Sequence, residues 1–150
     1  MSPRLIALLT PAIALGTAYA SQYWGGLSPC EMCWWQRYAH FAALGLAFVG
    51  FALPKTRWPL LLAALAIATS AGIGALHAGV EYGWWEGFTR CTTQVQFGQG
   101  HSALEAIMGA PAVRCDEVQW KLLGISLAGY NFLFSGASAL LILVTMGRKK

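Results

Sequence analysis

Charge is what this chain mostly lacks. Its 150 residues include six Asp or Glu and ten Lys or Arg, 11% charged in all, against about 25% in an ordinary soluble domain. Four stretches, 5–30, 38–54, 58–80 and 122–147, contain no Asp, Glu, Lys or Arg. A hydrocarbon core of ~30 Å is crossed by about 20 helical residues. The first, third and fourth stretches are therefore full spans, and the second becomes one if its helix starts earlier, at the Cys30-x-x-Cys33 turn. This excludes an ordinary soluble fold. The expectation is all-α: a polytopic membrane four-helix bundle forming one integral-membrane domain over 1–150. Its expected spans are 5–23, 29–53, 58–80 and 122–147, with an outer loop over 81–121.

Acidic residues are missing from one side of that bundle altogether. Arg4, the Lys55/Arg57 turn and Arg148-Lys149-Lys150 fall at the N-terminus, the second connection and the C-terminus, which share a side. All six acids (Glu31, Glu81, Glu86, Glu105, Asp116, Glu117) fall on the other. The positive-inside rule then puts both termini in the cytoplasm. The net charge of +4 is spent on topology toward membrane lipid, and no nucleic-acid face is left over.

Further absences narrow the chemistry. Haem attachment needs His after the second cysteine of Cys-x-x-Cys, and Trp34 stands there. No flavin fingerprint occurs. A zinc site of the usual spacing needs a second close cysteine pair, whereas Cys91 and Cys115 lie far apart in sequence, which makes a four-cysteine structural zinc protein the rival from another class.

What is present runs in order. The first span carries Pro11 and Gly16, and its Ala18-Tyr19-Ala20 resembles a leader cleavage site; the weak basic start and near-full span length favour retention. Helix 2 has entry signals at Ser28-Pro29-x-Glu31, a capping box with Ser28 as N-cap. Cys30 then falls in the first turn, where free N–H groups and the helix dipole favour a thiolate. Cys30, Cys33, Arg37 and His40 share a helix face. Helix 3 is rich in Ala, Gly and Ser, which allow close packing in lipid. In the outer loop Gly98-Gln99-Gly100 breaks the chain, and 102–108 reads as a short surface helix with Ser102 and Glu105 as caps. Six of the seven tryptophans flank outer span ends, as an interfacial belt does.

All four cysteines lie outside the cytoplasm, where disulfides persist. Three pairings are open to four cysteines; Cys30–Cys33 with Cys91–Cys115 is the simplest resting state. Two dithiols on one side of a membrane suggest relay by thiol–disulfide exchange, with a lipid-soluble electron acceptor. Arg37, one turn deeper than Cys33, suits that acceptor: an intramembrane arginine is expensive and functional by default. It would steady a Cys33 thiolate and hold a quinone carbonyl. The bland alternative is an arginine snorkelling to headgroups.

The run Pro29-Cys30-Glu31-Met32-Cys33-Trp34-Trp35-Gln36-Arg37 resembles the motif of the DsbB family of bacterial thiol–quinone oxidoreductases. The likeness extends through the four spans, the short basic turn and Cys115-Asp116-Glu117-Val118-Gln119-Trp120 into the last span. It implies a protein-dithiol:quinone oxidoreductase of the bacterial inner membrane, its cysteine pairs facing the periplasm. Ubiquinone or menaquinone would be the cofactor, and a DsbA-like thioredoxin-fold protein the partner. The resemblance also implies first attack at Cys91, release of Cys115 onto Cys30, and electron delivery through Cys33. It makes His77 a candidate beside the quinone, against the alternative of a polar residue satisfied by Glu81 or water. His40 is expected to face a polar spot inside the bundle, and His101 to be a loop residue. No metal is expected. A vitamin K epoxide reductase-like enzyme shares this chemistry, but its Cys-x-x-Cys is expected near the end of a later span.

Overall fold

Residue pattern and capping chemistry produce four long helices: α1 (Pro3–Tyr23), α2 (Glu31–Ala52), α3 (Trp58–Glu81) and α4 (Leu127–Gly147). The computed structural model describes residues 2–87, 89 and 113–148. Cys91, His101 and the surface helix expected over 102–108 lie outside these residues.

Each helix starts where a side chain or ring suits its first turn. Ser2 accepts the Leu5 N–H at 3.3 Å, and Pro3 needs no donor partner at the first position of α1. Pro59 does the same service at the start of α3. At the far end of α2, Arg4 donates to the Gly50 carbonyl at 3.0 Å and also to that of Pro54. A cation there meets carbonyls that lack an intrahelical partner, and the contact fixes α1 antiparallel to α2.

The interior is built from small residues and the exterior from large ones. Ala7, Ala43, Ala47, Ala63, Ala64 and Ala139 are buried with Ile67 and Ile142, whereas Phe48, Leu65, Leu140 and Val144 are exposed. Such a distribution suits lipid rather than water, because helices in lipid associate through close backbone approach. At Gly74 a Cβ would come within 3.0 Å of the Ala128 carbonyl oxygen and 3.1 Å of the Phe132 nitrogen. α3 and α4 therefore touch backbone to backbone. The protein is an all-α polytopic membrane protein in its main architecture: α1, α3 and α4 are long and apolar enough to cross a membrane. α2 matches them in length, but it spends apolarity on Gln36, Arg37 and His40, all buried.

The last helix begins later than the charge-free stretch suggests. Instead of a span from Leu122, residues Lys121–Leu122 and Ile125–Ser126 form a two-stranded antiparallel hairpin, β1–β2. Leu123 (φ 51°) and Gly124 (φ 80°) make its turn; positive φ at both positions matches the twist of a two-residue hairpin. Ser126 then caps α4 by accepting the Gly129 N–H at 3.1 Å. Tyr82, just past α3, clasps the hairpin: its hydroxyl accepts from the Ser126 N–H at 2.7 Å and donates to the Gly124 carbonyl at 3.0 Å. Charge-free residues enter the hairpin because hydroxyl and backbone partners satisfy it without charge.

Trp24, Trp84 and Trp120 are exposed near the same end of the bundle. Trp85, also exposed, folds back onto Gly79, donating its indole N–H to the Leu76 carbonyl at 3.1 Å.

Candidate active site

The dithiol sits at the mouth of α2. Cys30, not Ser28, is the N-cap: its backbone is extended (φ −80°, ψ 176°), and its sulfur accepts the Cys33 N–H at 3.4 Å. With the helix starting at Glu31, the free N–H groups of the first turn lie within reach of residue 30 and beyond reach of residue 28. From the cap position the Cys30 sulfur still faces the positive end of the helix.

Cys30 and Cys33 stand as two free thiols with their sulfurs 3.2 Å apart. That is hydrogen-bond distance, well beyond the ~2.05 Å of a covalent S–S bond. Cys115 is disulfide-bonded, completely buried, and packed with Cys30 and Met32 in one cluster that Cys33 and Val113 border. Its segment is latched to the entry of α2 by Gln119, which donates to the Ser28 carbonyl at 2.9 Å. Beside it, Arg114 donates to both oxygens of Asp116 at 2.9 and 2.5 Å, and this holds the Asp116 carboxyl below its ordinary range.

His77 lies at the dithiol itself, closer to the chemistry than the sequence reading placed it. Its Nε2 is 3.5 Å from the Cys30 sulfur and 3.7 Å from Glu81 Oε1. Of the two alternatives raised for it, the Glu81 partnership is the one observed. Cys30, Cys33 and His77 bring three potential ligand atoms within 4.8 Å of one another. Cys115 is disulfide-bonded and lies outside this ligand set among the described residues.

Arg37 is buried and bonded to α1. It donates to Gln22 Oε1 at 2.6 Å and to the Ala18 carbonyl at 3.0 Å, both on α1. Its guanidinium packs 4.8 Å from the Tyr19 ring centroid and 5.0 Å from that of Trp34. A side chain only 5% exposed and bonded to a neighbouring helix is not snorkelling. Helical spacing put its Cα on the cysteine face; its long stem carried the charge to α1.

Gln36 and Asn131 are the residues the sequence reading undervalued. Gln36 donates to the Met32 carbonyl at 3.2 Å and bonds His77 Nδ1 at 3.1 Å. Asn131 donates to Gln36 Oε1 at 2.7 Å and to the Ser70 carbonyl at 3.2 Å. Its oxygen meets His40 Nε2 at 3.0 Å and the Ser135 hydroxyl at 2.9 Å. His40 therefore faces a polar spot inside the bundle. A chain of polar groups runs from the sulfurs through α3, α2 and α4 in the middle of an apolar molecule. An amide in the charge-free stretch at 131, and another one turn after Cys33, were the available signals.

A cavity of about 470 Å³ opens along this chain. Ile13, Ala14 and Phe134 give it an apolar wall, while Cys33, Gln36 and Arg37 stand at its polar side. Its size suits a small-molecule ring.

Comparison with known proteins agrees with this arrangement. The family model described as "Disulfide bond formation protein DsbB" matches residues 2–145. Disulfide bond formation protein B of Shewanella sp. (strain MR-4) is 32% identical over 146 residues, covering 92% of this chain and 83% of the relative. The protein of the same name from Verminephrobacter eiseniae is 31% identical, with 97% and 86% covered. An uncharacterized Rickettsia prowazekii protein is 25% identical, with 87% and 78% covered. No solved structure matches the chain. Free paired thiols beside a disulfide-bonded cysteine, in a membrane bundle matched along nearly its whole length, make this chain a disulfide-forming oxidoreductase that belongs to the DsbB family.

Proposed function

We propose that the protein reoxidises a periplasmic dithiol protein of the DsbA type and passes the electrons to membrane quinone. The observation that carries this reading is the close Cys30–Cys33 pair, packed against a disulfide-bonded Cys115 and lining an apolar cavity with Arg37 on its wall. In this reading both termini are cytoplasmic, the cysteines face the periplasm, and the chain acts as one integral-membrane domain.

A partner thiolate attacks the sulfur of Cys91 in a Cys91–Cys115 disulfide, and Cys115 leaves as thiolate. Cys115 attacks Cys30 of an oxidised inner pair, which frees Cys33. The partner's second thiol displaces Cys91, closing the partner's disulfide; Cys91 then attacks Cys115 and releases Cys30. The outer disulfide is restored, and the inner pair now holds two electrons and two protons. Ubiquinone or menaquinone, when bound, supplies the sink for those two electrons and two protons. The residues suited to hold it are Arg37, with donors beyond the two committed to α1, and the apolar cavity wall. His77 is suited to stabilise sulfur as it ionises, because its Nε2 faces Cys30.

The test is reduction of a short-chain quinone by purified protein supplied with a reduced DsbA-type partner, with Cys91→Ser beside it. Turnover lost in the variant supports the relay and its entry point. Turnover that persists would show the partner reaching Cys30 directly, and no turnover with stoichiometric bound zinc would overturn the reading.

A further inference from the structure

Two cysteines and a histidine within ligand distance of one another ordinarily invite a thiophilic metal ion. Whether they accept one depends on which ring nitrogen of His77 carries hydrogen, and the neighbours decide that. The amide of Gln36 has its nitrogen 3.2 Å from the Met32 carbonyl, an obligate acceptor, so the nitrogen end is correctly turned there. Asn131 secures the other end, since its own nitrogen is 3.2 Å from the Ser70 carbonyl and 3.1 Å from the Ser70 hydroxyl, and it also donates to Gln36 Oε1 at 2.7 Å. Reversing either amide would press oxygen against a backbone carbonyl. Gln36 Nε2 therefore donates to His77 Nδ1 at 3.1 Å. A neutral imidazole that accepts at Nδ1 carries its hydrogen on Nε2. That hydrogen faces the Cys30 sulfur and the Glu81 carboxylate, at 3.5 and 3.7 Å.

We propose that Gln36 is a positioning residue that fixes His77 as the Nε2–H tautomer, making His77 a hydrogen-bond donor to the Cys30 sulfur and withholding the Cys30–Cys33–His77 cluster from metal ions. Zinc at Nε2 would need the lone pair there and the hydrogen on Nδ1, where it would meet the Gln36 N–H head on. The lock has two backbone anchors, the carbonyls of Met32 and Ser70. A dithiol that must cycle gains from it, because a bound metal would hold both sulfurs reduced. This inference rests on the dithiol reading of the site, but its readouts need neither quinone nor partner.

The first measurement is ring-nitrogen NMR of histidine-labelled, reduced protein in detergent, with His77→Ala to assign the signal. The expected spectrum shows His77 Nδ1 bare and Nε2 protonated near neutral pH; the opposite tautomer, or a doubly protonated ring, would overturn the proposal. The second is Zn²⁺ affinity of the reduced protein by chelator competition. Gln36→Glu accepts a hydrogen from Nδ1, and Gln36→Met removes the donor without adding charge. Both should bind Zn²⁺ on the order of tenfold or more tighter than the parent, the equilibrium worth of one misdirected buried hydrogen bond. His77→Ala added to either should cancel the gain. Unchanged affinity in both variants, or a gain that survives loss of His77, would sink the idea while leaving the redox relay intact.

Discussion

His77 Nε2 rests 3.5 Å from the Cys30 sulfur, although the two residues sit at the outer ends of different helices. This contact joins α3 to the entry of α2 and gives a membrane dithiol a polar neighbour in an otherwise apolar setting. Its companions, Glu81 on one side and Gln36 on the other, leave the ring no freedom to turn.

Cys33→Ser should abolish quinone reduction and leave the outer disulfide able to form. The serine hydroxyl fits where the thiol was but is not oxidised to a disulfide. Quinone-coupled turnover and non-reducing peptide mapping of Cys115 check the two halves; unchanged turnover would exclude Cys33 from the relay.

Arg37→Ala should act mainly on the apparent affinity for quinone. The substitution strips the cavity of its buried cation and leaves Gln22 and the Ala18 carbonyl without their donor. A KM for quinone raised about tenfold, with kcat less affected, corresponds to ~1.4 kcal/mol of lost binding. A quinone dependence identical to that of the parent protein would remove Arg37 from the site.

Gly74→Val should loosen the α3–α4 contact. A Cβ at this position already meets the Ala128 and Phe132 backbone at 3.0 and 3.1 Å, and valine adds two methyl groups to the crowding. A loss of about 1–3 kcal/mol is the usual cost of such overpacking. It would register as a lowered melting temperature in detergent, and an unaltered melting temperature would show that the helices part without penalty.

Tyr82→Phe should unclasp the hairpin while leaving the dithiol in place. The Ser126 N–H loses a 2.7 Å acceptor in a largely buried setting, for about 1–3 kcal/mol. Faster proteolysis within 121–126, with iodoacetamide reactivity of Cys30 unchanged, is the expected pair of results. Slower or equal cleavage would mean that the β1–β2 pairing holds the turn unaided.

Much of the bundle could be read from the chain because its determinants are one-dimensional. Charge-free length marks a span, and Pro3, Pro59 and the Pro54 turn punctuate helices wherever they fall. The hairpin escaped because Leu122-Leu123-Gly124 carries no charge and lacks the Asn-Gly or Asp-Gly pair that usually announces a two-residue turn. The N-cap moved from Ser28 to Cys30 because a capping box fits the spelling of a sequence, while the cap itself depends on which residue stays extended. Placing His77 against Cys30 required the rotation of α3 relative to α2, which no local pattern encodes. Arg37 shows the complementary limit, since helical spacing fixes a Cα and a long side chain chooses its own neighbour.

The polar burden of α2 has a consequence for assembly. A segment that must bury Gln36, Arg37 and His40 resists partitioning into lipid alone, and among the four helices it is the one that falls short in apolarity. Its partners for those groups sit on all three other helices: Gln22 and Ala18 on α1, Ser70 and His77 on α3, Asn131 on α4. α2 is therefore expected to settle only as its neighbours arrive, Gln36 and His40 gaining their partner once the α4 amide is in place.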